Sequence, residues 1–153
     1  MNDAHSHLIV NHLPVFGFIF SFLLLVGGLI FKNKSIINAS LVAFVVVGLL
    51  TLPAFFTGEG AEEVLLKIDP EAKSFIHYHE ESAEVSLWLS IALGLISLVV
   101  LLINRKKDVK ILYYLILLFC LAVIVSLVNT NNLGGKIRHT EIRETQNIYE
   151  LED

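Results

Sequence analysis

Four uncharged apolar blocks divide the chain, Leu8 to Phe31, Ser35 to Phe56, Val85 to Ile103 and Ile111 to Val128. Each is close to the length that carries a helix across roughly 30 Å of hydrocarbon. They lack the polar alternation of a membrane β-barrel, and a backbone in lipid has to satisfy its polar groups within a helix or a closed barrel. The pattern predicts an all-α integral membrane protein, a four-helix up-down-up-down bundle forming a single transmembrane domain over residues 1–153. Its spans fall at about 8–31, 35–56, 85–103 and 111–128, with an outer loop over 57–84 and an outer C-terminal tail over 129–153.

Smaller signals refine the ends. Asp69-Pro70 reads as a cap followed by proline at the first helical position, so the third helix is expected from about Pro70 to about Asn104. Glu59 to Lys67 reads as a short surface helix, and Gly134-Gly135 as a break after the fourth helix. Tyr113, Tyr114 and Trp88 fall near helix ends, as interfacial aromatics do. The single cysteine, Cys120, has no intrachain partner and reads as a packing residue. The first block has neither a basic flank nor a small-residue cleavage site, so it is expected to remain as a helix.

Composition agrees with the pattern: of 153 residues 55% are hydrophobic and only 17% charged, and the mean hydropathy is +0.71. A soluble domain of this length would carry more charge. The charges that exist are sorted by side. Between the first two blocks and between the last two lie six bases against one acid, a net +5, whereas the remaining segments hold five bases against fourteen acids, a net −9. Because Lys and Arg in short loops are retained in the cytoplasm, both termini are expected outside, periplasmic or extracellular, in a bacterial inner membrane. No basic stripe exists to neutralise phosphates, which disfavours a nucleic-acid role.

All six histidines, His5, His7, His12, His77, His79 and His139, fall on the acidic outer side. Imidazole suits transition metals and haem iron, and nearby carboxylates extend the choice among iron, copper and zinc. Four segments carry candidates. His7-x4-His12 places a second histidine about one turn inside an apolar block, where a polar ring has to find a partner. Glu59 and Glu62, three apart after Thr57-Gly58, can address one point from a helical turn, or simply form an acidic helix start. His79 shares a helical face with Ala83, Ser86 and Ser90 and is expected to point into the bundle, with Glu80 and Glu84 flanking it; His77 falls on a wetter face with Glu81. Gly134-Gly135 lets His139 and Glu141 return over the outer end, and Arg138 has the planar fork that suits a carboxylate or a haem propionate.

His7-x4-His12-Leu-Pro, the Thr57-Gly58-Glu59 run, the His79-Glu80 pair and Gly134-Gly135-x-Ile-Arg-His139-x-Glu141 together resemble an uncharacterised family of small bacterial four-helix integral membrane proteins. The resemblance spans nearly the whole chain and implies architecture, with no reaction attached. Members often carry a His-Pro pair where this chain has His7-Leu8.

The first reading is therefore a transition-metal site at the periplasmic end of the bundle, built from His7, His12, Glu59, Glu62, His79, Glu80, His139 and Glu141, with a redox or electron-transfer role. A b-type haem held by His12 and His79, with Arg138 beside it, is the close rival. A non-enzymatic membrane subunit, able to form an oligomer, whose acidic outer face docks a soluble or membrane redox partner, is the alternative class. A transporter is disfavoured by the absence of paired midplane charges and repeats. A topology reporter fused after Asp153 is expected to be active only outside the cytoplasm; a cytoplasmic signal would overturn the threading.

Overall fold

The computed structural model describes residues 2–104 and 109–143; the inner-loop bases Arg105, Lys106 and Lys107, and the tail beyond Arg143, lie outside the described residues. The described chain is helical: α1 (Asp3–Val10), α2 (Leu13–Ile30), α3 (Lys34–Leu66), a single 3-10 turn (Pro70–Ala72), α4 (Lys73–Asn104) and α5 (Lys110–Arg138). Four stretches are long and apolar enough to cross a membrane, the first being α1 and α2 taken together.

The element boundaries follow local chemistry. Asn2 caps α1 through its side chain, which accepts from the His5 N–H. The helix stops at Val10 because Pro14 has no N–H to give its carbonyl, and the chain re-enters helix at Leu13. The first span is thus two helices broken at Asn11 and His12, where one was expected. Asn33 caps α3 by accepting from Ser35 and Ile36, directly after Lys32, which turns the chain at a positive φ of 51°.

Two other expectations are corrected. Glu59 to Lys67 is no separate surface helix, because α3 continues through Pro53 and the Gly58-Glu59-Gly60 run to Leu66. Its 33 residues span about 50 Å, well beyond one hydrocarbon thickness. Nor does Gly134-Gly135 end α5, which runs on to Arg138 with no glycine at positive φ. The third helix begins nearly as expected, with the 3-10 turn at Pro70 leading into α4.

Each of α2 to α5 packs against two neighbours, α2 on α3, α3 on α4, α4 on α5 and α5 back on α2, while α1 packs on α3. The interior holds Phe18, Leu25, Leu41, Phe44, Leu93, Ile116, Cys120 and Val123, with the Phe18 and Phe44 rings stacked at 6.2 Å. Cys120 is buried, as its packing role requires. Many other apolar side chains, Phe20, Leu49, Leu95 and Leu118 among them, face outward, which suits a helix whose surroundings are as apolar as its core. Trp88 and Tyr114 are exposed, but Tyr113 is not the interfacial aromatic it was expected to be. It is 1% exposed and its hydroxyl donates to Asn104, whose amide donates to Asn38 at 2.7 Å.

A close backbone approach lies between α3 and α4. A Cβ placed on Gly48 would meet the Ser90 carbonyl at 3.0 Å and the Gly94 Cα at 3.4 Å. Small residues at such a crossing let helix backbones touch, the main source of helix association in lipid. Gly48→Val is therefore expected to destabilise the bundle by about 1–3 kcal/mol through overpacking, read as a lowered thermal midpoint in detergent micelles. Gly27→Ala, whose added methyl would meet nothing within 4 Å, is the control expected to leave that midpoint unmoved.

Candidate functional site

Where α1, the end of α3 and the end of α5 converge, they enclose a cavity of about 630 Å³. Five of the six histidines border it, His5, His7 and His12 from the first span, His79 from α4 and His139 just past α5. Arg138, Asn11 and Asn131 add polar groups, and Leu8, Val64, Leu65, Ile68 and Ile137 supply apolar wall. The volume is typical of small-molecule and cofactor sites, about 300–1,000 Å³.

Two of these rings are held by the protein. The Nδ1 atom of His79 lies 2.9 Å from the Thr130 carbonyl oxygen. A carbonyl only accepts, so Nδ1 carries the hydrogen and Nε2 keeps a bare lone pair. The His7 Nδ1 lies 3.0 Å from the Thr57 hydroxyl, whose single hydrogen is already given to the Pro53 carbonyl at 2.8 Å. Thr57 thus accepts, and His7 takes the same tautomer. Both rings are half-buried, and both are in the form in which imidazole ligates through Nε2 while a partner holds the other nitrogen.

Gly134 is part of this arrangement. A Cβ there would meet Cε1 of His79 at 3.1 Å and Nδ1 at 3.3 Å, so the glycine gives room to the ring where a helix break was expected. Thr57 and Thr130, neither of them anticipated in this role, are the orienting residues. The only sign of the second in the sequence is the polar run Asn129-Thr130-Asn131-Asn132 following an apolar block.

The other candidates are distributed differently. His12 borders the cavity but is exposed, and as the residue preceding α2 it makes no side-chain cap. Glu59 and Glu80 are exposed and Glu62 half-buried; Glu80 lies close to Glu62, and none of the three borders the cavity. Glu141 is exposed and pairs with His139 Nδ1 at 2.8 Å. A hydrogen bond from its own backbone N–H, and then one from the His139 ring, hold the Glu141 carboxyl below the usual carboxylate range. His77 is exposed, 3.4 Å from Glu81. Among the described residues no three His, Cys, Asp or Glu side chains come together as a metal-binding group.

The tail does fold back over this end, through a residue that sequence reasoning passed over. The Arg143 side chain, only 12% exposed, reaches Asp69 Oδ2 at 3.1 Å. It also donates to the Lys136 carbonyl at 2.7 Å and to that of Ile137, and lies 4.7 Å over the Phe75 ring. One guanidinium thereby satisfies carbonyls of the last turn of α5 and ties that turn to the start of α4. Its position shows in the sequence only as a base in an acidic tail.

Comparison of the chain with protein-family models, with curated proteins and with solved structures finds no match.

Arg143→Ala is expected to loosen the tail by about 1.5–3 kcal/mol, the worth of hydrogen bonds to a charged group. Limited trypsin cleavage after Lys136 and Arg138 should then run about ten- to a hundredfold faster, provided the local opening equilibrium governs cutting. Gly134→Val, which drives a side chain into the His79 ring, should displace that ring and change its imidazole NMR signals while leaving His77 unmoved.

Proposed function

We propose that this is a multi-pass protein of a bacterial inner membrane, threaded up-down-up-down with both termini outside, whose outer cavity holds b-type haem for electron transfer. The observation that carries the reading is the pair of rings bordering one cavity, His7 and His79, each held at Nδ1 and each left with a bare Nε2. In this reading His7, in place of the His12 that spacing alone assigned, would hold the group together with His79. The apolar wall suits the face of a planar macrocycle. Arg138 at the border suits a propionate.

Bound haem would supply an iron centre that cycles between two oxidation states. The chain's own residues would supply the rest: His7 and His79 would hold the group through Nε2, Thr57 and the Thr130 carbonyl keep those rings oriented, and the apolar residues would limit water around the macrocycle. A mixed His and Glu ion site receives less support, because Glu59, Glu62 and Glu80 lie away from the cavity. The acidic outer segments would attract a basic redox partner.

Protein purified from its native membrane should show a Soret band with about one iron per chain. His7→Ala and His79→Ala should each abolish it or convert it to a high-spin spectrum, and Thr57→Val should weaken haem retention about ten- to a hundredfold, as loss of an orienting partner does. A colourless protein with no transition metal in stoichiometric amount would overturn the proposal.

A further inference from the structure

Directly beneath the cavity, between the helices, lies a second and smaller chamber of about 50 Å³, bordered by His7, Asn11, Thr51, His79, Ser86 and Thr130 among others. The Asn11 Oδ1 is buried and has no hydrogen-bond partner. Such an orphan in a space that other polar groups also border is a usual mark of an ordered water.

The hydroxyls around it have their protons committed elsewhere. Thr51 donates to the Val47 carbonyl at 3.0 Å. Thr130 donates to the Ser126 carbonyl at 3.1 Å, so its contacts with Ser82 at 2.8 Å and Ser86 at 2.9 Å are bonds it accepts. Ser86 having spent its one proton there, the 2.7 Å contact with Ser126 is donated by Ser126. Asn129 in turn donates to Ser82. Thr51 and Ser86, which border the same chamber as Asn11, therefore keep lone pairs. The chamber calls for a small molecule that donates two hydrogens.

We propose that this chamber is a built water site, occupied by one or two waters that donate to Asn11 Oδ1 and to Thr51 or Ser86. Its volume has room for that number, since a cavity needs only about 10–15 Å³ to hold a water. The water joins the floor of the cavity, at His7 and His79, to the Ser82, Thr130, Ser86 and Ser126 hydroxyls. The hydrated network ends there. One turn further along α4 the Ser90 hydroxyl is fully buried without a partner, and beside it the Gly48 and Gly94 backbones close the bundle. The site stands whichever molecule fills the cavity above it.

The test is a structure of the full-length protein in lipid nanodiscs, at a resolution that shows ordered water, together with water-edited solid-state NMR. Wild-type protein should show a water within hydrogen-bond distance of Asn11 Oδ1, and the Asn11 and Thr51 side-chain signals should polarise from water several-fold faster than that of buried Ser97. Thr51→Val, which keeps the shape and removes one acceptor, should slow this transfer, and Asn11→Leu should reduce it to the Ser97 level. A dry chamber, or an Asn11 side chain rotated onto a protein donor, would overturn the proposal. Both readouts report water alone, so a colourless protein with a wet chamber would remove the haem reading and leave this one intact.

Discussion

A polypeptide in hydrocarbon has no water to satisfy its backbone and gains little by burying one apolar side chain against another. This constraint explains both the helices and how they are held. Only about a third of each membrane-crossing window is covered by protein, from 28% to 39%, so the bundle relies on a few close contacts instead of a large core. One is the Gly48 and Gly94 crossing. The others are polar: Asn38, Asn104 and Tyr113 at one end, and the Ser82, Ser86, Ser126 and Thr130 hydroxyls toward the other. Groups that would be costly if left alone in an apolar medium become specific links between helices once paired.

The same economy shapes the site. α3 extends past the length needed for one crossing, α1 folds against it after the break imposed by Pro14, and α5 continues unbroken to Arg138. Three helix ends converge there without filling the space between them. Thr57 and Thr130 act twice there: each satisfies its own helix and fixes an imidazole from another. Arg143 closes the arrangement from outside by giving the α5 terminus the donors its carbonyls need.

Much of the architecture was legible because it follows from one-dimensional quantities. Apolar runs of sufficient length define the helices, and the 100° periodicity that grouped His79 with Ala83, Ser86 and Ser90 correctly turned that face inward. Errors arose where a residue had two uses. Gly134 is permissive in a turn and also permissive beside a bulky ring; only the His79 ring packed against it distinguishes them. Pro53 and the glycines near 58–60 weaken a helix by propensity, yet packing of α1 on this stretch of α3 carries the helix through to Leu66. Tyr113 has the position of an interfacial aromatic, but a buried asparagine on another helix captures its hydroxyl. The carboxylates were grouped with the histidines because both lie near helix ends, and sequence distance cannot tell the inner from the outer surface of such an end.

The chain's own order of residues determined that it forms four helices long and apolar enough to cross a membrane. This follows from transfer free energy and helical period, which need no knowledge of neighbours. Tertiary structure decided which histidines are held and in which tautomer. That choice rests on a carbonyl 51 positions away from His79 and a hydroxyl 50 positions away from His7. A hydrogen bond is set by distances of a few tenths of an ångström between atoms of different helices, and no local pattern along the chain encodes them.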